Sequence, residues 1–371
     1  MSKERTYRIL IGGGGTGGHV FPAIAIADAL RASHPQAQFL FVGARGRLEM
    51  EKVPEAGYTI EGLPVAGFQR RLSVKNISFF FKLAASMAIS RRIVRRFKPH
   101  VAVGVGGYAS GPILKAAARR GVPILIQEQN SYAGVTNRLL ARSARSICVA
   151  YEKMDRYFPE NRIHLTGNPI RQNLFSQSRD RVQDLEEFGL EDGKKVSLVV
   201  GGSLGARTLN QSLADGLKKL DREDLQVIWQ CGKLYHNQVE AQVESSGLKN
   251  IRVLPFIAKM DRAYGAADVI ISRAGAITIS ELCVIGKPVI LVPSPNVAED
   301  HQTRNAEALV SRNAAVMIPD REAKEKLVDT MLDLMGDENR QQQLSDNIKP
   351  LGITDASERI AAEVTKLIES T

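Results

Sequence analysis

The chain has only three cysteines, Cys148, Cys231 and Cys283, and no two of them stand at CxxC spacing. Neither a zinc site nor a disulfide framework is suggested by so few thiols so far apart, which leaves core packing as the role of each. Also missing is any run of about 18 uncharged apolar residues. No opening segment shows the charged, apolar and small-residue order of a secretion signal. A chain made and kept in the cytosol is therefore expected. Aromatic residues are 6% of the total and are not interleaved with the basic ones. With no recognised nucleic-acid motif either, nucleic acid is not an expected partner. The 44% hydrophobic and 24% charged content is that of a soluble globular protein, and 371 residues suit two domains of ordinary size.

What the chain does have is glycine in a telling place. Ile9-Leu10-Ile11 runs into Gly12-Gly13-Gly14-Gly15-Thr16-Gly17-Gly18-His19, and then into Val20-Phe21-Pro22-Ala23-Ile24-Ala25-Ile26-Ala27. The apolar run predicts a buried parallel strand and the alanine-rich run a helix, so the glycines make a strand-to-helix turn. Such a turn lets a ligand touch the backbone, and the helix that follows presents unpaired N–H groups and a positive dipole end to an anion, most often a phosphate. Two better-known glycine loops are disfavoured. A dinucleotide fold wants an acid about 20 residues later at a strand end, but Phe39-Leu40-Phe41-Val42 is followed by Gly43-Ala44-Arg45. A P-loop needs Gly-Lys-Ser/Thr, and Gly18 is followed by His19. His19 reads either as an imidazole facing a ligand at the rim of the loop or as a helix-start residue that caps and packs.

The net charge of +10 is uneven. Residues 1–166 hold 25 Lys+Arg against 10 Asp+Glu, or +15, and the remainder holds 25 against 30, or −5. A basic first half suits a membrane surface or a phosphorylated substrate. Strand-like runs at 7–12, 38–42, 101–105, 123–127 and 146–150 alternate with helical stretches, the order of a parallel sheet wrapped by helices. The pattern restarts with Val196 to Val200, the glycine turn Gly201-Gly202-Ser203-Leu204-Gly205, and a helix from Thr208 to Leu220, with further strands at 226–230, 251–254, 268–272 and 288–292. Gly167-Asn168-Pro169-Ile170-Arg171 reads as the hinge between the halves. A last amphipathic helix is expected from about Ala356 to Glu369. Three glycine turns, at 12–18, 104–107 and 201–205, all follow apolar strands, and ligands of open α/β sheets bind at the carboxyl ends of strands. These turns are expected to face one cleft.

Seven motifs in this order, Gly14-Gly15-Thr16-Gly17-Gly18-His19-Val20-Phe21-Pro22-Ala23, Gly104-Val105-Gly106-Gly107-Tyr108, Glu128-Gln129-Asn130, Gly167-Asn168-Pro169-Ile170-Arg171, Gly201-Gly202-Ser203-Leu204-Gly205-Ala206, Ser272-Arg273-Ala274-Gly275-Ala276 and Asp300-His301-Gln302, together resemble the MurG family. Its members are UDP-N-acetylglucosamine:N-acetylmuramyl-(pentapeptide) pyrophosphoryl-undecaprenol N-acetylglucosaminyltransferases of peptidoglycan synthesis. The resemblance implies an α/β chain of GT-B fold, two Rossmann-like domains with parallel sheets facing across a deep cleft. An N-terminal acceptor and membrane-binding domain would span 1–166, completed by the C-terminal helix 353–371, and a donor domain 167–352. It also implies inverting transfer of N-acetylglucosamine from its UDP donor to the 4-hydroxyl of undecaprenyl-diphosphate-linked N-acetylmuramoyl-pentapeptide.

Site residues follow from the same resemblance. Ser203 and Arg171 are expected near the diphosphate, Ile257 at the uracil through its backbone, and Ala276-Ile277-Thr278 at a helix start aimed at the phosphates. Glu281 is expected on the ribose hydroxyls, Gln302 on the sugar hydroxyls and Asn305 close by, while a contact from His301 is left open because some relatives carry Gln-Gln at 301–302. Thr16, Gly17, Gly18, Asn130 and Asn137 belong to the cleft wall of the first domain. His19 is expected to be the base for the acceptor hydroxyl on its own chemistry, because an imidazole's unperturbed pKa lies near neutrality and the glycine loop places it where phosphate and sugar must meet. Taken without the motif, Glu281 is an ordinary surface helix acid. No Asp-x-Asp occurs in the chain, which agrees with an enzyme that needs no metal and no cofactor. Other functions compatible with the fold are transfer to a different lipid acceptor, epimerisation of a UDP-sugar, or a non-catalytic UDP-sugar-binding scaffold at the membrane.

The stretch 73–98 carries the expected membrane contact. Phe79, Phe80 and Phe81 spread over about 200° at 100° per residue, wider than one core-facing stripe, so at least one should face outward. Lys75, Lys82, Arg91, Arg92, Arg95 and Arg96 supply charge for an anionic leaflet. Peripheral binding to the cytoplasmic face of the cell membrane is the expectation.

Overall fold

The computed structural model describes residues 6–65, 74–170, 174, 180–202, 204–297 and 300–370, and of 74–78 and 80 the backbone alone. Two compact units make up the chain, 1–170 with 355–371, and 171–354. The strands of the first unit are β1 (Arg8–Gly12), β2 (Gln38–Ala44), β3 (Ile60–Leu63), β4 (Val101–Gly104), β5 (Ile124–Glu128), β6 (Ser146–Val149) and β7 (Ile163–Leu165). They pair in the order β3-β2-β1-β4-β5-β6-β7, all parallel. In the second unit β8 (Lys195–Val200), β9 (Leu225–Gln230), β10 (Ile251–Leu254), β11 (Val269–Ser272), β12 (Val289–Leu291) and β13 (Val316–Met317) pair as β10-β9-β8-β11-β12-β13, again all parallel. Two Rossmann-like sheets are therefore present.

Side-chain alternation explains the unbroken apolar runs of β1 and β4 at the centre of the first sheet. Leu10 of β1 and Ala102 of β4 enter one core, while Ile9, Ile11, Val101 and Val103 enter the core on the opposite face. A strand buried on both faces reads as an unbroken hydrophobic run. The second core is closed by α1 (Gly17–Ser33) and by the C-terminal helix Ala356–Glu369, whose Ile360, Val364 and Ile368 recur every four residues and are buried with Ile26 and Leu30. Each such side chain contributes about 1.5–3 kcal/mol, so the end of the chain is held on the first unit.

β3, β7 and β13 were not expected from the sequence. They have four, three and two residues and lie at or next to sheet edges, too short for any hydrophobic period to show. The segment read as a hinge is also better anchored than its glycine and proline suggest. Gly167, Asn168, Pro169 and Ile170 are all buried, and Asn168 hydrogen-bonds Gln127 and Gln129 of the first unit.

Strand order fixes where ligands meet each sheet. The first chain path runs outward from β1 to β3 and then returns to β4 beside β1, and the second runs outward from β8 to β10 and returns to β11 beside β8. These are topological switch points, where the turns after neighbouring strands diverge and leave a crevice at the carboxyl edge. The turns at 12–18 and 104–107 flank the first switch point, and those at 201–205 and 273–275 flank the second.

Candidate functional site

At the first switch point α1 starts directly after the glycines. Thr16 caps it through its backbone carbonyl, which accepts from His19 N at 3.0 Å and Val20 N at 3.1 Å, and not through its side chain. No acid occupies the first turn. The amides at Gly17 and Gly18 thus head a 17-residue helix whose first turn carries no negative side chain to oppose its dipole. Thr16 and Gly18 are exposed and Gly17 and His19 half-buried. The turn after β4 lies against this loop. A side chain at Gly107 (φ +85°) would sit 2.2 Å from Gly14 O, and one at Gly106 would sit 2.9 Å from His19 Cε1, so bare backbone there is what admits the imidazole. Ser110 Oγ lies 2.6 Å from Gly12 O and 2.8 Å from Gly106 O, sharing its proton between the two turns.

A polar network continues from the end of β5. Glu128 is buried, and its Oε1 accepts from Asn130 N at 3.1 Å while Oε2 accepts from Gly134 N at 3.0 Å and Asn137 Nδ2 at 2.9 Å. Burial pushes its carboxyl above the usual carboxylate range, and these donors oppose that shift. Asn137 also donates to Gln127 O at 3.1 Å, and Gln129 Nε2 donates to Val105 O at 2.7 Å, which ties β5 to the turn after β4. Asn130 is half-buried and Asn137 almost wholly buried. Asn130 and Asn137 thus follow β5, whose end is tied by Gln129 to the turn after β4 that the glycine loop packs against. Asn137 serves chiefly to hold Glu128.

In the second unit β11 leads through Arg273-Ala274-Gly275 into the helix Ala276–Ile285, with extended Gly275 at its cap and no acid in its first turn. Ala276, Ile277 and Thr278 are its opening residues. Glu281 is not a surface acid. Only 3% of it is exposed, and Tyr264 Oη donates to its Oε2 at 3.2 Å. A buried carboxylate needs hydrogen-bond donors, and the tyrosine hydroxyl is one of them. Ile257 is buried beside exposed Phe256. Gln302 Oε1 accepts from Ser294 N at 2.8 Å. Asn305 is fully buried and donates to Ala274 O at 3.4 Å, so it braces the turn ahead of the helix. Half-buried His301 opens the helix His301–Val310. Arg171 and Ser203 lie outside the described residues.

Comparison with known proteins matches this arrangement at both levels. The glycosyltransferase family 28 N-terminal domain matches residues 9–149 and the family 28 C-terminal domain residues 196–360. The chain is 55% identical over 367 residues, 99% of it and 98% of the relative, to the UDP-N-acetylglucosamine–N-acetylmuramyl-(pentapeptide) pyrophosphoryl-undecaprenol N-acetylglucosamine transferase of Phocaeicola vulgatus. The chain belongs to the MurG family. A transferase of the same name from Bacteroides fragilis is 55% identical over 98% of this chain and 96% of its own. Among solved structures, Acinetobacter baumannii MurG superposes with a TM-score of 0.78 at 29% identity, covering 97% of this chain and 99% of its own. A putative UDP-N-acetylglucosamine 2-epimerase from Listeria monocytogenes reaches a TM-score of 0.72 at 12% identity, covering 99% and 98%, a likeness of fold alone.

Two further residues stand out in this MurG-family chain. Glu128 has no role in the expectations above, although an acid at the end of the buried strand Ile124–Glu128 is a signal that it is held by something. Arg273 Nη1 pairs with Asp320 Oδ1 at 2.5 Å and donates to Val292 O at 3.0 Å, and Thr208 Oγ1 donates to Asp320 Oδ2 at 2.9 Å. That bracket links the turn after β11 to the helices 207–215 and 320–336. No spacing in the sequence foretells it.

Proposed function

We infer that this enzyme is a UDP-N-acetylglucosamine-dependent glycosyltransferase that converts lipid I to lipid II in peptidoglycan synthesis. It transfers N-acetylglucosamine to undecaprenyl-diphosphate-linked N-acetylmuramoyl-pentapeptide. The observation that carries this is 55% identity to a transferase of that name along 99% of the chain, through both units and every site element described above. Labelled UDP-N-acetylglucosamine and a lipid I analogue are expected to give a β-linked disaccharide and UDP. Recovery of a 2-epimerised sugar nucleotide, or no product at all, would sink the assignment.

In the mechanism that these residues support, the acceptor 4-hydroxyl attacks the anomeric carbon as its bond to UDP breaks, inverting that centre. His19 takes the hydroxyl proton. Negative charge grows on the departing diphosphate, where helix-start amides at Ala276, Ile277 and Thr278 are the fixed donors that favour it. Glu281 holds the ribose hydroxyls and the Gln302 amide the sugar.

Membrane contact is the second part of the reading. On α3 (Val74–Phe97) the side chains of Ser86, Ser90, Ile93 and Val94 are buried, while Phe81 is 74% exposed, Leu83 38% exposed, and Lys82 lies exposed between them. Arg91, Arg92, Arg95 and Arg96 are exposed farther along. Phe79 is half-buried, and the Phe80 side chain lies outside the description. Among the described residues no helix is long and apolar enough to cross a membrane. Apolar side chains that dip into a leaflet, with cations each contributing about 1 kcal/mol at an anionic surface, give peripheral binding weakened by salt. A Phe81→Ser/Leu83→Ser variant is expected to lose flotation with anionic vesicles, and binding equal to the parent's would place the docking surface elsewhere.

A further inference from the structure

We propose that Glu49 is a positioning residue of the glycine loop, a carboxylate pin that holds the start of α1 open for substrate. It rests on the transferase reading only in that turnover is one of its readouts. Glu49 opens α2 (Glu49–Glu55) and is 1% exposed. Its Oε2 accepts from Gly15 N at 2.9 Å and its Oε1 from Ala44 N at 2.8 Å. One side chain thereby joins the turn after β1 to the end of β2, two strands paired from Arg8↔Gln38 to Gly12↔Val42.

This contact changes what the loop glycines are for. A Cβ on Gly14 (φ +138°) would lie 2.1 Å from Glu49 Oε1, and one on Gly43 would lie 2.4 Å from Glu49 Cγ. Both positions are bare because the carboxylate passes through them, not because a ligand does. On the loop's other side a Cβ at Gly13 would meet Val105 Cγ2 at 2.1 Å, so the loop is gripped between Glu49 and the turn after β4. A Cβ on Gly15 has nothing within 4 Å among the described residues. Gly15 is thus the point where the loop leaves its packing, and its N–H is turned inward to the pin. With that amide committed, the following ones at Gly17 and Gly18 are left for the ligand, and His19 is carried at a fixed angle on the first turn.

The chemistry needs an ionised carboxylate of this length. Both partners are backbone donors, and a carboxylate offers an acceptor to each, whereas a glutamine must turn its NH₂ toward one of them. Aspartate keeps the charge but is one methylene too short to span both. Glu49→Gln and Glu49→Asp are therefore both expected to lower kcat by at least tenfold. UDP affinity is expected to stay near the parent's, because the proposed donor residues belong to the other unit, and the melting midpoint is expected to fall by a few degrees, the cost of one buried hydrogen bond to a carboxylate. Hydrogen exchange of the peptide covering Gly13 to His19 is expected to accelerate at least tenfold while the strands stay protected. A kcat within twofold of the parent, or unchanged exchange in that peptide, would overturn the proposal. So would UDP affinity falling together with turnover, since Glu49 would then be a general brace. A parent without turnover on the lipid I analogue would remove the transferase reading instead, and the exchange comparison would still decide the pin.

Discussion

Replacing His19 with alanine is expected to lower kcat roughly 10²- to 10⁴-fold, the loss characteristic of a general base. The KM for UDP-N-acetylglucosamine should change little, because the donor-side residues proposed above lie in the other unit. His19 stands on the first turn of α1, half-buried, with its ring against the backbone of Gly106. Packing of that kind fixes the ring without closing it off from solvent. That placement is compatible with both sequence-level descriptions, a packed helix-start histidine and a ligand-facing one. The measurement that separates them is steady-state turnover with a lipid I analogue. An alanine variant with near-normal kcat and a lowered melting midpoint would leave His19 a packing residue only.

Replacing Glu281 with alanine is expected to cost about 1.5–3 kcal/mol for a hydrogen bond to a charged group, or about 10- to 150-fold in kcat/KM for the donor. The loss should fall on donor use. Because Glu281 is buried and accepts from Tyr264, the variant also strands the tyrosine hydroxyl, so a modest loss of stability should accompany the kinetic one. A Tyr264→Phe variant removes that hydroxyl while keeping the carboxylate, and is expected to retain most donor affinity. Unchanged donor kinetics in Glu281→Ala, or an equal defect in Tyr264→Phe, would show that Glu281 serves the fold and not the ribose.

The sequence by itself determined the two sheets and the main glycine turns, because their signals are local. A strand buried on both faces is apolar at nearly every position, as Ile9-Leu10-Ile11 and Val101-Ala102-Val103 are, and a turn that presents bare backbone is glycine-rich. The motif order identified the family for the same reason, since each motif is a contiguous run. Only the tertiary structure decided which polar residues are held by the protein itself. Glu128 and Asn137 are nine residues apart and bond each other, Asn305 bonds Ala274 across 31 residues, and Glu49 bonds Gly15 across 34. In the sequence each is a single polar letter with no period. The edge strands β3, β7 and β13 escaped for a related reason, as two to four residues cannot display a pattern and are held in place by the neighbour they pair with. A buried carboxylate is defined by the donors that surround it, and those donors come from elsewhere in the chain.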